Sequence, residues 1–115
     1  MRTYLEHSGI ELEVRFFDEA DAPTLPGNVY WRLDCAATGE NLQDWTQVYP
    51  ETHLDDFGNI TEIVATIEVA SSLNAIQDRA NTREEKRLLV AAGKDEPREF
   101  SAEFPYQVMR VQGRA

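Results

Sequence analysis

Asn28-Val29-Tyr30-Trp31-Arg32-Leu33-Asp34-Cys35 is the stretch whose reading decides the fold. Taken with a period of two, Val29, Trp31, Leu33 and Cys35 fall on one side, and Tyr30, Arg32 and Asp34 on the other. That alternation belongs to a β-strand with one face in a core and the other wet or half-covered. Trp31 is then the largest single packing unit of the domain. Cys35, at the inward phase, reads as a small buried hydrophobe rather than a nucleophile.

The same period recurs on both sides of this strand. Leu12, Val14 and Phe16 alternate with Glu11, Glu13 and Arg15 within a strand between Glu6 and Phe17. Phe17 breaks the alternation and is expected at a sheet edge or an interface. Asp18, Asp21, Pro23, Pro26, Gly27 and Asn28 make the next segment a loop. After the Trp31 strand, Thr38-Gly39 reads as a turn, and Leu42 to Val48 as a partner strand anchored by Trp45. Glu51 to Asn59 is polar and turn-rich. In Ile60 to Val69, the residues Ile63, Ala65, Ile67 and Val69 share an inward face, with Glu62, Val64, Thr66 and Glu68 outward.

The second half begins with a change of character. Near residues 71–77 a single helical turn is expected, capped by Ser71 or Ser72 and burying Leu73 and Ile76. Arg79 to Lys86 is a charged segment, followed by a short apolar strand from Arg87 to Ala92 and a turn over Gly93 to Pro97. The last strand, Phe100 to Val111, places Phe100, Ala102, Phe104, Tyr106 and Val108 on one face, with Pro105 marking a bulge or an edge. About 6–8 evenly spaced strands and one helical turn predict an all-β, antiparallel two-sheet sandwich. It forms a single domain over 1–115, with 1–8 and 112–115 as extended tails.

Composition narrows the function. At 115 residues, 42% hydrophobic and 28% charged, the chain is long and apolar enough to fold without metal or disulfide. Cys35 is the only cysteine, so no internal disulfide can form. The start lacks an apolar signal-peptide core, and no apolar run approaches the roughly 20 residues that cross a bilayer. A cytoplasmic site of synthesis is expected. The net charge of −10, from 11 bases and 21 acids, disfavours nucleic acid and anionic membranes as partners. Residues 1–78 hold 15 acids and 3 bases, a balance of −12, while 79–115 hold 6 acids and 8 bases, a balance of +2. A basic edge could thus meet an acidic face on a neighbouring copy.

The search for chemistry yields no catalytic constellation. His7 and His53 belong to no spaced ligand set, and Asp55-Asp56-Phe57-Gly58-Asn59 lacks the alternating acids of a calcium loop. Glu84 and Glu85 are adjacent, so on a strand they point apart. Ion pairs with Arg83 and Arg87 account for them. No phosphate loop or nucleophile elbow is present. A non-enzymatic protein without cofactor or metal is expected.

Several short elements together resemble a known group. They are Pro26, Val29-Tyr30-Trp31-Arg32-Leu33-Asp34, Thr38-Gly39, Asp44-Trp45-Thr46, Ile67 with Val69, Leu73-Asn74-Ala75-Ile76, and Arg83-Glu84 with Arg87. In this order, across residues 12 to 111, they resemble small immunoglobulin-like virion components or assembly accessories of tailed bacteriophages. The resemblance implies an immunoglobulin-like sandwich. It also implies a virion structural role at the capsid, neck or tail, with phage proteins and copies of itself as partners. It transfers no catalytic residue. The expected contact residues are the off-core aromatics Phe17, Tyr30 and Tyr49, with Arg79, Arg83 and Arg87, since aromatics and Arg most often anchor interfaces. Two alternatives remain at this point: a carbohydrate- or cell-surface-binding module stacking sugars on Trp31, Trp45 or tyrosines, and an assembly accessory that never enters the particle.

Overall fold

The computed structural model describes residues 2–78, 80–93 and 100–110, except the side chains of 93, 100 and 101. The described residues contain eight strands: β1 (Arg2–Leu5), β2 (Ile10–Arg15), β3 (Asn28–Cys35), β4 (Asn41–Val48), β5 (Glu51–Leu54), β6 (Ile60–Val69), β7 (Arg83–Gly93) and β8 (Phe100–Met109). They form two sheets, one in the order β1-β8-β7-β3-β4 and one in the order β2-β6-β5. All pairings are antiparallel except β1 with β8, which is parallel.

The opening strand spans the residues its alternation predicts. Val29, Leu33 and Cys35 are fully buried and Trp31 nearly so. Facing them from the other sheet are Phe16, Ile63, Ala65, Ile67 and Val69, and Leu88, Val90, Tyr106 and Val108 complete the core from β7 and β8. Strand β3 is interior, paired on both sides, but β7 occupies the middle of the five-stranded sheet. Val64, expected outward, is buried on the outer face, where it lies in register between Arg15 and Glu51.

Several boundaries differ from the sequence expectation, each for a local reason. Residues 2–5, expected within a tail, form β1, whose Tyr4 packs edge-on against Tyr106 at 5.7 Å. Glu51–Leu54 is a strand although all four residues are exposed, because β6 offers a free edge to pair with. Strand β7 begins at Arg83 instead of Arg87, since Glu84 and Lys86 point inward and are buried. The helical turn is a single 3-10 turn, Ser71–Leu73, entered from Ala70 without a side-chain cap; Ile76 is buried as expected and Leu73 partly so. No bulge forms at Pro105: the β7–β8 register runs unbroken, and Pro105 lies one residue beyond the stretch paired to β1. Ala102 is exposed. The predicted turn over 93–97 and the tail over 112–115 fall mainly outside the described residues, as does Arg79.

Candidate binding surface

The two-residue link Tyr49-Pro50 joins β4 to β5, which brings one end of each sheet together. At that end Val48 faces Val29 at the start of β3, and Glu51 faces Val64 on β6. Strand β2 also finishes there, with Arg15 opposite Val64, before its connection enters β3 at Asn28. Among the described residues seven large hydrophobic side chains are exposed, and six belong to this end: Phe17, Leu25, Tyr49, Leu54, Phe57 and Ile60. Scattered surface hydrophobics are ordinary, but a set gathered at one pole makes that end the candidate contact surface.

The β5–β6 hairpin carries half of that set. It runs past the Glu51–Val64 pair to Leu54 opposite Ile60, and every residue from 51 to 61 is exposed. Its turn is held from within. The Asp55 carboxylate accepts the N–H groups of Phe57 at 2.8 Å and Asn59 at 2.9 Å, and the Asn59 side-chain amide at 3.3 Å. The N–H groups of Asn59 and Phe57 hold the Asp55 carboxyl below its ordinary value. Gly58 closes the turn at φ 82°, a conformation that favours glycine. Phe57, at the apex, is 89% exposed.

Acids surround these apolar groups. Asp18, Glu19 and Asp21 lie in the β2–β3 connection, and Glu51, Asp55, Asp56 and Glu62 on the hairpin and its base. One continuous chain of contacts crosses the base: Glu51 to His53 at 3.4 Å, His53 to Glu62 at 2.8 Å, Glu62 to Arg15 at 2.7 Å, and Arg15 to Glu13 at 2.8 Å. Glu62 and Glu51 raise the His53 pKa, while Arg15 and His53 lower that of Glu62. Among the described residues no grouping of three or more His, Cys, Asp and Glu side chains could hold a metal ion.

The outer face of the five-stranded sheet has a different character. Arg32 donates to Asp34 at 2.8 Å and lies 5.5 Å from the centre of the Trp45 ring, and the Asn41 amide also donates to Asp34. Trp45 is therefore on the outer face and not a core anchor. Arg87 pairs with Glu103 at 2.6 Å and with Glu85 at 3.7 Å. Arg32 and Arg87 are each paired with acids of this face. Trp31, only 7% exposed, cannot offer its ring to a sugar, and Arg32 sits against Trp45.

A third cluster lies inside the opposite end of the sandwich. Lys86 Nζ donates to Glu84 Oε1 at 3.1 Å, and the Cys35 thiol lies 3.5 Å from Lys86 and 3.7 Å from Glu84. Both charged side chains are fully buried. Glu84 also accepts the N–H groups of Gln77 at 2.6 Å and Asp78 at 2.8 Å, and the Asn81 amide at 3.0 Å. Burial pushes the Glu84 carboxyl up; the Asp78 and Gln77 N–H groups, the Asn81 amide and Lys86 outweigh it and bring the pKa down to about 2. A Lys, a carboxylate and a thiol are reactive types, yet these are sealed from solvent. Their arrangement pins Gln77, Asp78 and Asn81 to the sheet.

The expected contact residues thus divide. Phe17 and Tyr49 are exposed, at 54% and 75%, and share the apolar end. Tyr30 is half-buried on the outer face of β3, between Gln47 and Ala91. Arg83 and Arg87 sit on that same face, with Arg83 far from the apolar end, opposite Met109. The sequence reading missed Leu25, Leu54, Phe57 and Ile60. The available signal was an aromatic residue set inside a polar turn, Asp55-Asp56-Phe57-Gly58-Asn59. Comparison with protein families, with curated proteins and with solved structures finds no match to this chain.

Proposed function

We propose that this chain is a non-enzymatic structural subunit of a tailed-bacteriophage virion, a decoration, neck or tail accessory. In this reading it works by protein–protein contacts made from one end of an immunoglobulin-like sandwich. The observation that carries the proposal is the polarity of the molecule: among the described residues, six of the seven exposed large hydrophobics lie at the end where β4 meets β5. Exposed apolar surface gathered on a rigid β frame suits a fixed protein contact. Repetition of copies around a symmetric particle lets such contacts act through multivalency.

The strand arrangement supports the immunoglobulin-like part of the proposal. The orders β2-β6-β5 and β8-β7-β3-β4 correspond to the B-E-D and G-F-C-C′ sheets of that fold, and the buried Trp31 lies on the strand that corresponds to C. With a single cysteine, the inter-sheet disulfide of antibody domains has no counterpart. Mass spectrometry of purified particles tests the function: the chain should be present at a fixed ratio to the major structural proteins. Its absence from particles would sink the virion role.

A further inference from the structure

We propose that the β5–β6 hairpin is an insertion finger: Phe57, flanked by Leu54 and Ile60, enters an apolar pocket rimmed by Lys or Arg on a different protein. The proposal rests on the reading of this chain as a protein-binding subunit and names the partner's chemistry.

Three observations carry it. First, the finger is unsupported, with all residues from 51 to 61 exposed, so its apolar tip adds nothing to the core. Second, the tip is nevertheless built. Asp55 fixes the Phe57 and Asn59 N–H groups, the Asp55 N–H donates to the Asn59 carbonyl at 2.9 Å, and the Gly58 N–H to the Asp55 carbonyl at 3.1 Å. A preorganised turn displaying an aromatic ring spends little ordering entropy on binding, which is the condition for a hot-spot anchor. Third, charge selects the occupant. Asp55 and Asp56 adjoin the ring, Glu51 and Glu62 stand at the base, and the chain carries −10 overall. Two such tips repel, so a second copy bound tip to tip is disfavoured, and so is an anionic lipid surface. A pocket with a cationic rim matches on both counts.

The test is site-specific photo-crosslinking from position 57, with p-benzoylphenylalanine replacing Phe57 in the full chain and the same group at Thr66 as control. Irradiation is carried out in the cells that make the chain and in particles purified from them. The expected adduct from position 57 is with one other protein, in peptides whose apolar residues are flanked by Lys or Arg. A competing copy carrying Phe57→Ala should displace it at least about tenfold less well than the unaltered chain, and Phe57→Leu should recover most of the loss. An adduct with a second copy, with lipid or with an acidic surface would overturn the proposal, as would a yield no higher than at Thr66. An adduct formed in cells by a chain missing from particles would sink the virion role and leave the finger standing. A chain present in particles without the adduct would do the reverse.

Discussion

The two ends of this sandwich invert the usual distribution of residue types. At one end, charged and polar groups are inside. Glu84 and Lys86 are fully buried, and Asn74, also buried, accepts the Tyr106 hydroxyl at 2.6 Å and donates to the Ser8 carbonyl at 2.7 Å. At the other end, apolar groups are outside, from Tyr49 to Phe57. The polar end is satisfied by its own partners, so it is explained within the molecule: it ties Asn74, Gln77, Asp78, Asn81 and the β1–β2 turn to the large sheet. The apolar end has no such internal account. The buried charges are held by hydrogen bonds within the fold, whereas the exposed aromatic ring on its built turn is the basis of the proposed contact.

The largest effect should come from breaking the polar end. Lys86→Ala leaves Glu84 without its buried cation and should destabilise by about 3–5 kcal/mol in chemical denaturation, comparable to about 3–5 kcal/mol for Trp31→Ala. A loss below about 1 kcal/mol would mean that the pair is not buried in solution. Acid should act on the same group. The Glu84 carboxyl falls from an ordinary 4.5 to about 2 in the folded state, so its contribution is present above pH 4.5 and is lost as the pH falls from there towards 2. Stability measured across that window should decline, and Glu84→Gln should flatten the decline.

At the apolar end the expected effects on stability are smaller. Gly58→Ala meets no steric obstacle but must adopt φ 82°, and should lower stability by about 1–2 kcal/mol at most, by opening the turn. Phe57→Ala should change the unfolding free energy by less than about 0.5 kcal/mol, since the ring buries almost nothing. A thermal shift of several degrees in the Phe57 variant would erase the contrast between the two ends.

Alternation was enough to read β3, β6 and the inward face of β2, because each puts apolar residues on every second position and one face in the core. It was not enough for β7. There Glu84 and Lys86 occupy core positions, and a pattern reader takes two charges for solvent, since the hydrogen bonds that make their burial tolerable come from Gln77, Asp78, Asn81 and Cys35 in other segments. It also missed β5, whose four exposed residues carry no inward face of their own. Of the candidate surface, Phe17 and Tyr49 were legible as apolar residues out of phase or beside a proline. Leu54, Phe57 and Ile60 were hidden in a segment dominated by turn residues.

By itself, then, the order of residues determined most of the longer strands and the identity of most of the core, which depend on neighbours two or three positions away, and its composition determined the acidity. Only the tertiary structure decided that Glu84 and Lys86 lie inside and Phe57 outside. Whether a side chain is sealed or bare is set by what the opposite sheet and the connecting segments cover. The three-stranded sheet covers Trp31, whereas the five-stranded sheet stops short of the hairpin that the smaller sheet extends.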